Sequence, residues 1–140
     1  MDELHFTEEM YQENILDHYK NPRNKKEMPS CTHFCKQNNP LCGDEVEMFL
    51  QIIQGRVADV SFTGQGCALS QASASLLTES IKNKSLADVS SFNKQKIFSL
   101  LGISISPLRQ NCALLSLRAV QQALSQASPS QALLPQGGKV

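Results

Sequence analysis

The sequence predicts an α+β domain in which helices pack on one face of a small antiparallel β-sheet. Three observations predict this fold: a helical apolar pattern at the start, two alternating segments joined by a short turn, and further helical patterns after them. The length of 140 residues suits one domain. We expect this domain to span residues 1–127, and the proline- and glycine-containing stretch 128–140 to be a disordered tail.

The first helix should begin at Thr7, because its hydroxyl can cap free backbone amides. Tyr11 and Ile15 then recur at helical spacing. The helix should end before Pro22, since proline disfavours helical geometry in the preceding residue. Residues 21–41 contain three prolines and few apolar side chains, so they are predicted to form a loop.

Two alternating segments predict a β-hairpin in the middle of the chain. Every second residue from 46 to 52 is apolar, which is the period of a half-buried strand, and the alternation returns from 58 to 62. The pair Gln54-Gly55 supplies a tight turn between them.

Helical patterns fill the rest of the domain. A helix rich in serine and alanine should begin at Cys67, and its small side chains would let another element approach closely. A short helix is predicted for residues 94–101, ended by Gly102. Pro107 suits the first turn of the last helix, so Cys112 should lie in the opening turns of that helix. The buried stripe of that helix is predicted to comprise Ala113, Leu117, Val120 and Leu124.

Charge and hydropathy exclude several classes of function. Lysine plus arginine and aspartate plus glutamate each number 13, and this balance predicts no nucleic-acid partner. No apolar stretch approaches the roughly 18 residues that cross a bilayer, so we expect no membrane insertion. The start Met1-Asp2-Glu3 lacks the basic and apolar stretches of a secretory signal, and we therefore expect a cytoplasmic protein.

Five cysteines in a cytoplasmic chain are more often ligands or nucleophiles than disulfide partners. Cys42, Cys67 and Cys112 fall at the ends of predicted elements and outside the apolar stripes that hold structural cysteines. Asp44 follows Cys42 closely, and Gly43 between them permits a backbone turn that points both at one centre. Three thiolates and one carboxylate form a four-ligand set of the kind that zinc binds tetrahedrally.

Asp44 would make such a site exchangeable, because it places a hard oxygen donor among soft sulfurs. A permanent iron–sulfur centre normally uses four cysteines. The predicted donor set therefore suits a protein that gives its cargo away. From spacing alone, an alternative stays open in which Cys42, Cys67 and Cys112 are unrelated thiols of a reduced protein.

Two other features have simpler interpretations. Cys31, His33 and Cys35 offer three potential ligands without an evident fourth, so loop thiols are favoured over a second metal site. His18 lies beside the apolar stripe of the first helix, and we expect it to be a hydrogen-bonded structural residue.

At the candidate ligands the sequence resembles the U-type iron–sulfur scaffold family, which comprises IscU, SufU and the N-terminal domain of NifU. Four motifs in matching order carry the resemblance, which runs from Met10 to Leu124. They are Ile15-Leu16-Asp17-His18-Tyr19-Lys20-Asn21-Pro22-Arg23-Asn24, Asn39-Pro40-Leu41-Cys42-Gly43-Asp44, the stretch from Gly64 to Ser75 around Cys67, and Arg109-Gln110-Asn111-Cys112-Ala113-Leu114-Leu115.

The resemblance implies a SufE/NifU-like fold and a defined site. Its metal- and cofactor-binding residues would be Cys42, Asp44, Cys67 and Cys112, holding Zn²⁺, a transient [2Fe-2S] cluster or both. The three cysteines would be the catalytic residues, with Cys42 as the sulfur acceptor. The implied partners are a cysteine desulfurase of the SufS, IscS or NifS type, and acceptor apoproteins or downstream carriers.

Three functions follow as hypotheses. The first is a scaffold that assembles a transferable [2Fe-2S] cluster from sulfur and iron. The second is a zinc-dependent sulfurtransferase that carries a persulfide and activates a cysteine desulfurase. The third is a binding module in which zinc only cross-links loops, although structural zinc sites usually use cysteine and histidine instead of aspartate.

Two departures from the resemblance favour SufU over IscU. IscU proteins have histidine immediately before the third cysteine, where this chain has Asn111. They also have a Leu-Pro-Pro-Val-Lys motif read by a dedicated Hsp70 chaperone. The matching stretch here is Ile105-Ser106-Pro107-Leu108-Arg109, so the sequence gives no support for an Hsp70 partner. Against SufU, the gap between Cys67 and Cys112 lacks the insertion typical of that branch.

Overall fold

The computed structural model of the chain describes residues 8–41 and 43–125. Thr7, Cys42 and the stretch 128–140, on which predictions were made, lie outside this part. The elements in chain order are α1 (Glu8–Lys20), β1 (His33–Asn39), β2 (Asp44–Ile53), β3 (Arg56–Gln65), α2 (Ala68–Ile81), α3 (Leu86–Ser90), α4 (Lys94–Leu101), α5 (Pro107–Ala113) and α6 (Leu115–Leu124).

The three strands form one antiparallel sheet in the order β1-β2-β3. The predicted hairpin of β2 and β3 is confirmed, with Ile53 paired to Arg56 across the turn. Gln54 and Gly55 in that turn have φ angles of 52° and 75°, as two-residue turns that match the strand twist require.

The helices cover one face of the sheet, which confirms the predicted α+β class. Val46, Met48 and Leu50 alternate along β2 and are completely buried in the core between sheet and helices. Complete burial of each such side chain stabilises a fold by about 1.5–3 kcal/mol. The alternation seen in the sequence therefore reports which face of β2 is covered.

The prediction of a loop over residues 21–41 is wrong in its second half, where β1 forms. His33 pairs with Leu50 and Asn39 pairs with Asp44, so β1 lies along the outer side of β2. Most of its side chains are polar and only partly buried, because it is an edge strand. A strand of this kind lacks the apolar alternation by which strands are recognised in a sequence.

Helix α2 is central in the helical layer and contacts α1, α6 and β3. Serine and alanine dominate its buried residues, as the sequence predicted, and they allow this close packing. The hydroxyl of Ser73 donates a hydrogen bond to the Ala113 carbonyl at 2.7 Å. This bond fixes α2 against the end of α5.

The predicted last helix is divided at Leu114, whose ψ of 1° is not helical. The division leaves α5 with seven residues and puts Cys112 in its final turn. The expectation that Cys112 lies in the opening turns of a long helix is therefore wrong. The short helix α3 was also missed; the Ser85 side chain caps it by accepting from the Asp88 amide at 3.1 Å.

His18 attaches α1 to α2. Its ring lies against Ser75, with 2.7 Å between His18 Nδ1 and Ser75 Oγ, and the residue is buried. The amide of Arg23 donates to the same Ser75 oxygen at 2.9 Å. The prediction of a hydrogen-bonded structural histidine is confirmed. Among the described residues, no helix has the length and apolar character needed to cross a membrane.

Candidate metal centre

Asp44, Cys67 and Cys112 meet at one end of the sheet. A carboxylate oxygen and the two sulfur atoms all lie within 4.8 Å of one another. Asp44 opens β2, and Cys67 follows the end of β3, which pairs antiparallel with β2. The antiparallel pairing thus brings two residues distant in sequence to the same edge, and the last turn of α5 adds Cys112.

Asp44 is buried and makes two contacts with Cys67. Its Oδ1 atom accepts from the Cys67 backbone amide at 3.0 Å, and its Oδ2 atom accepts from the Cys67 thiol at 3.1 Å. Cys67 is the N-cap of α2, and its own side chain makes no capping hydrogen bond. The carboxylate therefore supplies an acceptor at this helix N-terminus, where the helix dipole also favours negative charge.

Gly66 makes room for this carboxylate. Its φ of 146° favours glycine, and a Cβ atom at this position would lie only 2.6 Å from Asp44 Cγ. Any side chain at residue 66 would therefore force the Asp44 carboxylate away from Cys67.

Cys112 is buried and has a partner on β1. The Asn39 side-chain amide donates to the Cys112 sulfur at 3.7 Å. Sequence reasoning missed Asn39 as a site residue. The only available signal was its place in the motif from Asn39 to Asp44, because buried asparagine has no distinctive pattern of its own.

The remaining predicted residues are separate from this group. Cys42, the fourth predicted ligand, lies outside the described residues. Cys35 is on β1 and half-buried against the core, and Cys31 is buried just before that strand, so the expectation of loop thiols is wrong for Cys35. Burial raises the pKa of both thiols, which favours their protonated, unreactive forms.

Asn111 is turned towards the protein surface. It is exposed, and its Oδ1 atom accepts from Arg118 at 2.8 Å. The side-chain oxygen of the residue before Cys112 is thus already hydrogen-bonded to a cationic side chain of α6.

The donors that converge are of types that zinc and iron accept. Zinc binds cysteine sulfur at about 2.3 Å and carboxylate oxygen at about 2.0–2.2 Å, in a tetrahedron. Two sulfurs and one carboxylate within 4.8 Å of one another can reach these distances by small side-chain movements. Across residues 8–41 and 43–125, no other three Cys, His, Asp or Glu side chains come together in this way.

Two curated proteins are similar to this chain in sequence over most of their length. Zinc-dependent sulfurtransferase SufU of Bacillus subtilis (strain 168) is 35% identical over 135 residues, covering 83% of this chain and 90% of that protein. Iron–sulfur cluster assembly scaffold protein IscU of Haemophilus influenzae is 31% identical over 127 residues, covering 86% and 98%.

Solved structures of other proteins have a fold similar to that of this chain. One ascribed to an iron–sulfur cluster assembly scaffold for the SUF system of Fervidobacterium islandicum AW-1 has a TM-score of 0.70 at 25% identity, and the match covers 85% of this chain and 99% of that one. A NifU-like N-terminal protein of Brucella abortus has a TM-score of 0.69 at 19% identity, with coverage of 82% and 92%, and supports the fold alone. The family model described as NifU-like N terminal domain matches residues 10–131. The chain therefore belongs to the NifU-like N-terminal domain family.

Proposed function

We propose that this protein is an iron–sulfur cluster assembly scaffold, which receives sulfur from a cysteine desulfurase, binds iron, and passes a [2Fe-2S] cluster to acceptor proteins. The convergence of Asp44, Cys67 and Cys112 is the observation that carries the proposal. Cys42 completes the proposed ligand set and acts as the sulfur acceptor. Cysteine ligands of this kind suit the reducing cytoplasm, where we place the protein.

Sulfur delivery is a thiol exchange. A thiolate of the scaffold attacks the outer sulfur of the desulfurase persulfide, a new S–S bond forms, and the desulfurase cysteine leaves as a thiolate. A dithiol or an electron-transfer protein must then supply two electrons per sulfur to give sulfide. Iron and sulfide are substrates in this scheme, and the cluster is the cargo.

Asp44 keeps the cargo transferable. Its oxygen is a harder donor than a fourth sulfur would be, so we expect its bond to a cluster iron to exchange more readily. The helix N-terminus next to it adds positive potential, which favours anionic cargo at the same place.

A second candidate function is a zinc-dependent sulfurtransferase that activates a desulfurase. It is favoured by the relative in Bacillus subtilis and by Asn111, which is held by Arg118 on the protein surface. The same residues, Cys42, Asp44, Cys67 and Cys112, would hold Zn²⁺. When bound, zinc would keep the thiols deprotonated and protected until a desulfurase arrives.

Anaerobic reconstitution tests the first proposal. Protein, desulfurase, cysteine, ferrous iron and a dithiol are expected to give a visible-absorbing cluster. Cys67→Ser and Cys112→Ser should lose it, and the matched control Cys35→Ser should retain it. No cluster under strict anaerobiosis would reject the scaffold. Desulfurase stimulation that disappears when zinc is removed would then support the second function.

A further inference from the structure

Asn39 connects the turn beside Asp44 to the sulfur of Cys112. It is the last residue of β1 and is 9% exposed. Its Oδ1 atom accepts from the Leu41 amide at 3.1 Å, and its main-chain carbonyl accepts from the Gly43 amide at 2.8 Å. Its Nδ2 atom donates to Cys112 at 3.7 Å. One residue thus contacts Leu41 and Gly43 in the turn and Cys112 on α5.

The chemistry requires an asparagine at this position. A side-chain oxygen that accepts from the amide two residues later forms an Asx turn, which asparagine and aspartate both make. Only the asparagine side chain also carries N–H groups that can donate to a sulfur. The pairing of Asn39 with Asp44 in the sheet places these N–H groups at the same edge as the candidate ligands.

We propose that Asn39 is a positioning residue of the metal centre, which shapes the turn with its oxygen and orients the Cys112 sulfur with its side-chain amide. The inference rests on the proposed metal centre and applies equally to zinc and to a cluster. Hydrogen bonds to a metal-bound sulfur fix its direction and withdraw charge from it. A residue that binds no metal thereby holds the ligands on β2 and α5 in position relative to each other.

The test separates the two roles of the side chain. Asn39→Ser keeps an oxygen that can accept from the Leu41 amide, but its shorter side chain lacks the amide group that donates to sulfur. Asn39→Ala removes both. Asn38→Ser is the matched control, because Asn38 is an exposed neighbour on the same strand whose side chain lies on the opposite face of the sheet.

Three measurements are made on the full chain: zinc affinity by competition with a chelator, the ¹¹³Cd NMR shift of the cadmium-loaded protein, and amide hydrogen exchange at Leu41 and Gly43. We expect Asn39→Ser and Asn39→Ala to weaken zinc binding about 10–100-fold. Both should move the ¹¹³Cd resonance, which a change of stability alone would leave in place. Amide exchange at Leu41 should accelerate strongly only in Asn39→Ala.

Wild-type zinc affinity together with an unmoved ¹¹³Cd resonance in Asn39→Ser would overturn the proposal. Equal effects from Asn38→Ser would also overturn it, since they would reveal a general property of the strand. A failure of cluster reconstitution with these zinc results intact would reject only the scaffold function, so the two outcomes are distinguishable.

Discussion

At the scale of single residues, Asp44 combines a structural contact with a proposed metal-binding role. Replacement by asparagine separates them, because an amide oxygen can still accept from the Cys67 backbone while the negative charge is lost. We predict that Asp44→Asn forms a cluster but transfers it to an acceptor apoprotein more slowly than wild type. Asp44→Ala should do the same and also lose about 0.5–2 kcal/mol of folding stability with the helix cap. Absorbance during transfer and urea unfolding measure the two effects, and an unchanged transfer rate in both variants would contradict the argument.

Gly66 provides a second prediction at this scale. Gly66→Ala should push the Asp44 carboxylate away from Cys67 and weaken zinc binding by about 10–100-fold, the range seen when metal ligands lose their support. Gly55→Ala is the matched control, since its φ of 75° is also unfavourable for alanine but open space surrounds it. Both variants should lose some stability, and only Gly66→Ala should lose zinc affinity in a chelator competition. Equal zinc affinities of the two variants would show that the Asp44 carboxylate can move without weakening zinc binding.

The sequence predicted those residues of the candidate site whose chemical type is typical of metal ligands, and it missed the others. Cysteine and aspartate at element ends pointed to Asp44, Cys67 and Cys112, and the structure brings these three together. Asn39 escaped notice because its contact with the site, the hydrogen bond to the Cys112 sulfur, exists only after α5 has packed against the end of β1. Chemical type alone does not distinguish it from Asn38 beside it.

At the scale of elements, the predictions succeeded where an element is buried on one face, because its apolar residues then recur at a regular spacing in the sequence. The β2–β3 hairpin and helices α1 and α4 have such periods, whereas α2 is buried on nearly every side. Strand β1 has none, because it is a polar edge strand stabilised mainly by its ladder to β2. The break between α5 and α6 was missed because no proline or glycine marks it in the sequence; beside it, the Ser73 hydroxyl donates to the Ala113 carbonyl, which is a tertiary contact.

The contact between α1 and α2 should make folding sensitive to pH. Burial, aided by the Arg23 charge, lowers the pKa of His18, while Asp17 and Glu79 oppose this shift. A histidine with a lowered pKa stabilises the fold fully above its ordinary value near 6.5, and this stability is lost as pH falls from there towards the folded-state pKa. We therefore predict that the free energy of unfolding falls between pH 7.5 and pH 5.5.

Replacing His18 isolates its share of this effect. The loss of stability between the two pH values should be smaller in His18→Gln than in wild type, as measured by urea unfolding. His33 needs its own comparison, because burial also lowers its pKa and His33→Gln should reduce the pH dependence independently. If the stability of His18→Gln depends on pH as strongly as that of wild type, protonation of His18 does not contribute to the pH dependence.

At the scale of the whole molecule, two unusually exposed leucines border the candidate centre. Leu41 is 90% exposed and Leu108 is 89% exposed. Leu41 is hydrogen-bonded to Asn39, and Leu108 lies one helical turn before Cys112. Sulfur exchange requires direct contact between a sulfur of the donor and a sulfur of the acceptor. If a desulfurase delivers sulfur here, as proposed, we expect it to contact the surface around the centre and these leucines with it.

Burying one leucine side chain at an interface is worth about 1.5–3 kcal/mol, which corresponds to at least a tenfold change in affinity. We predict that Leu41→Ser and Leu108→Ser each raise the concentration of this protein needed for half-maximal sulfur transfer from a desulfurase, by roughly tenfold. Zinc affinity should stay unchanged, because neither side chain supplies a donor atom. Leu16→Ser and Ile53→Ser are the controls and should have little effect, because both residues are exposed and lie away from the candidate ligands, Leu16 on α1 and Ile53 at the opposite end of β2 from Asp44. If all four variants receive sulfur like wild type, the desulfurase approaches the centre without using this leucine-bearing surface.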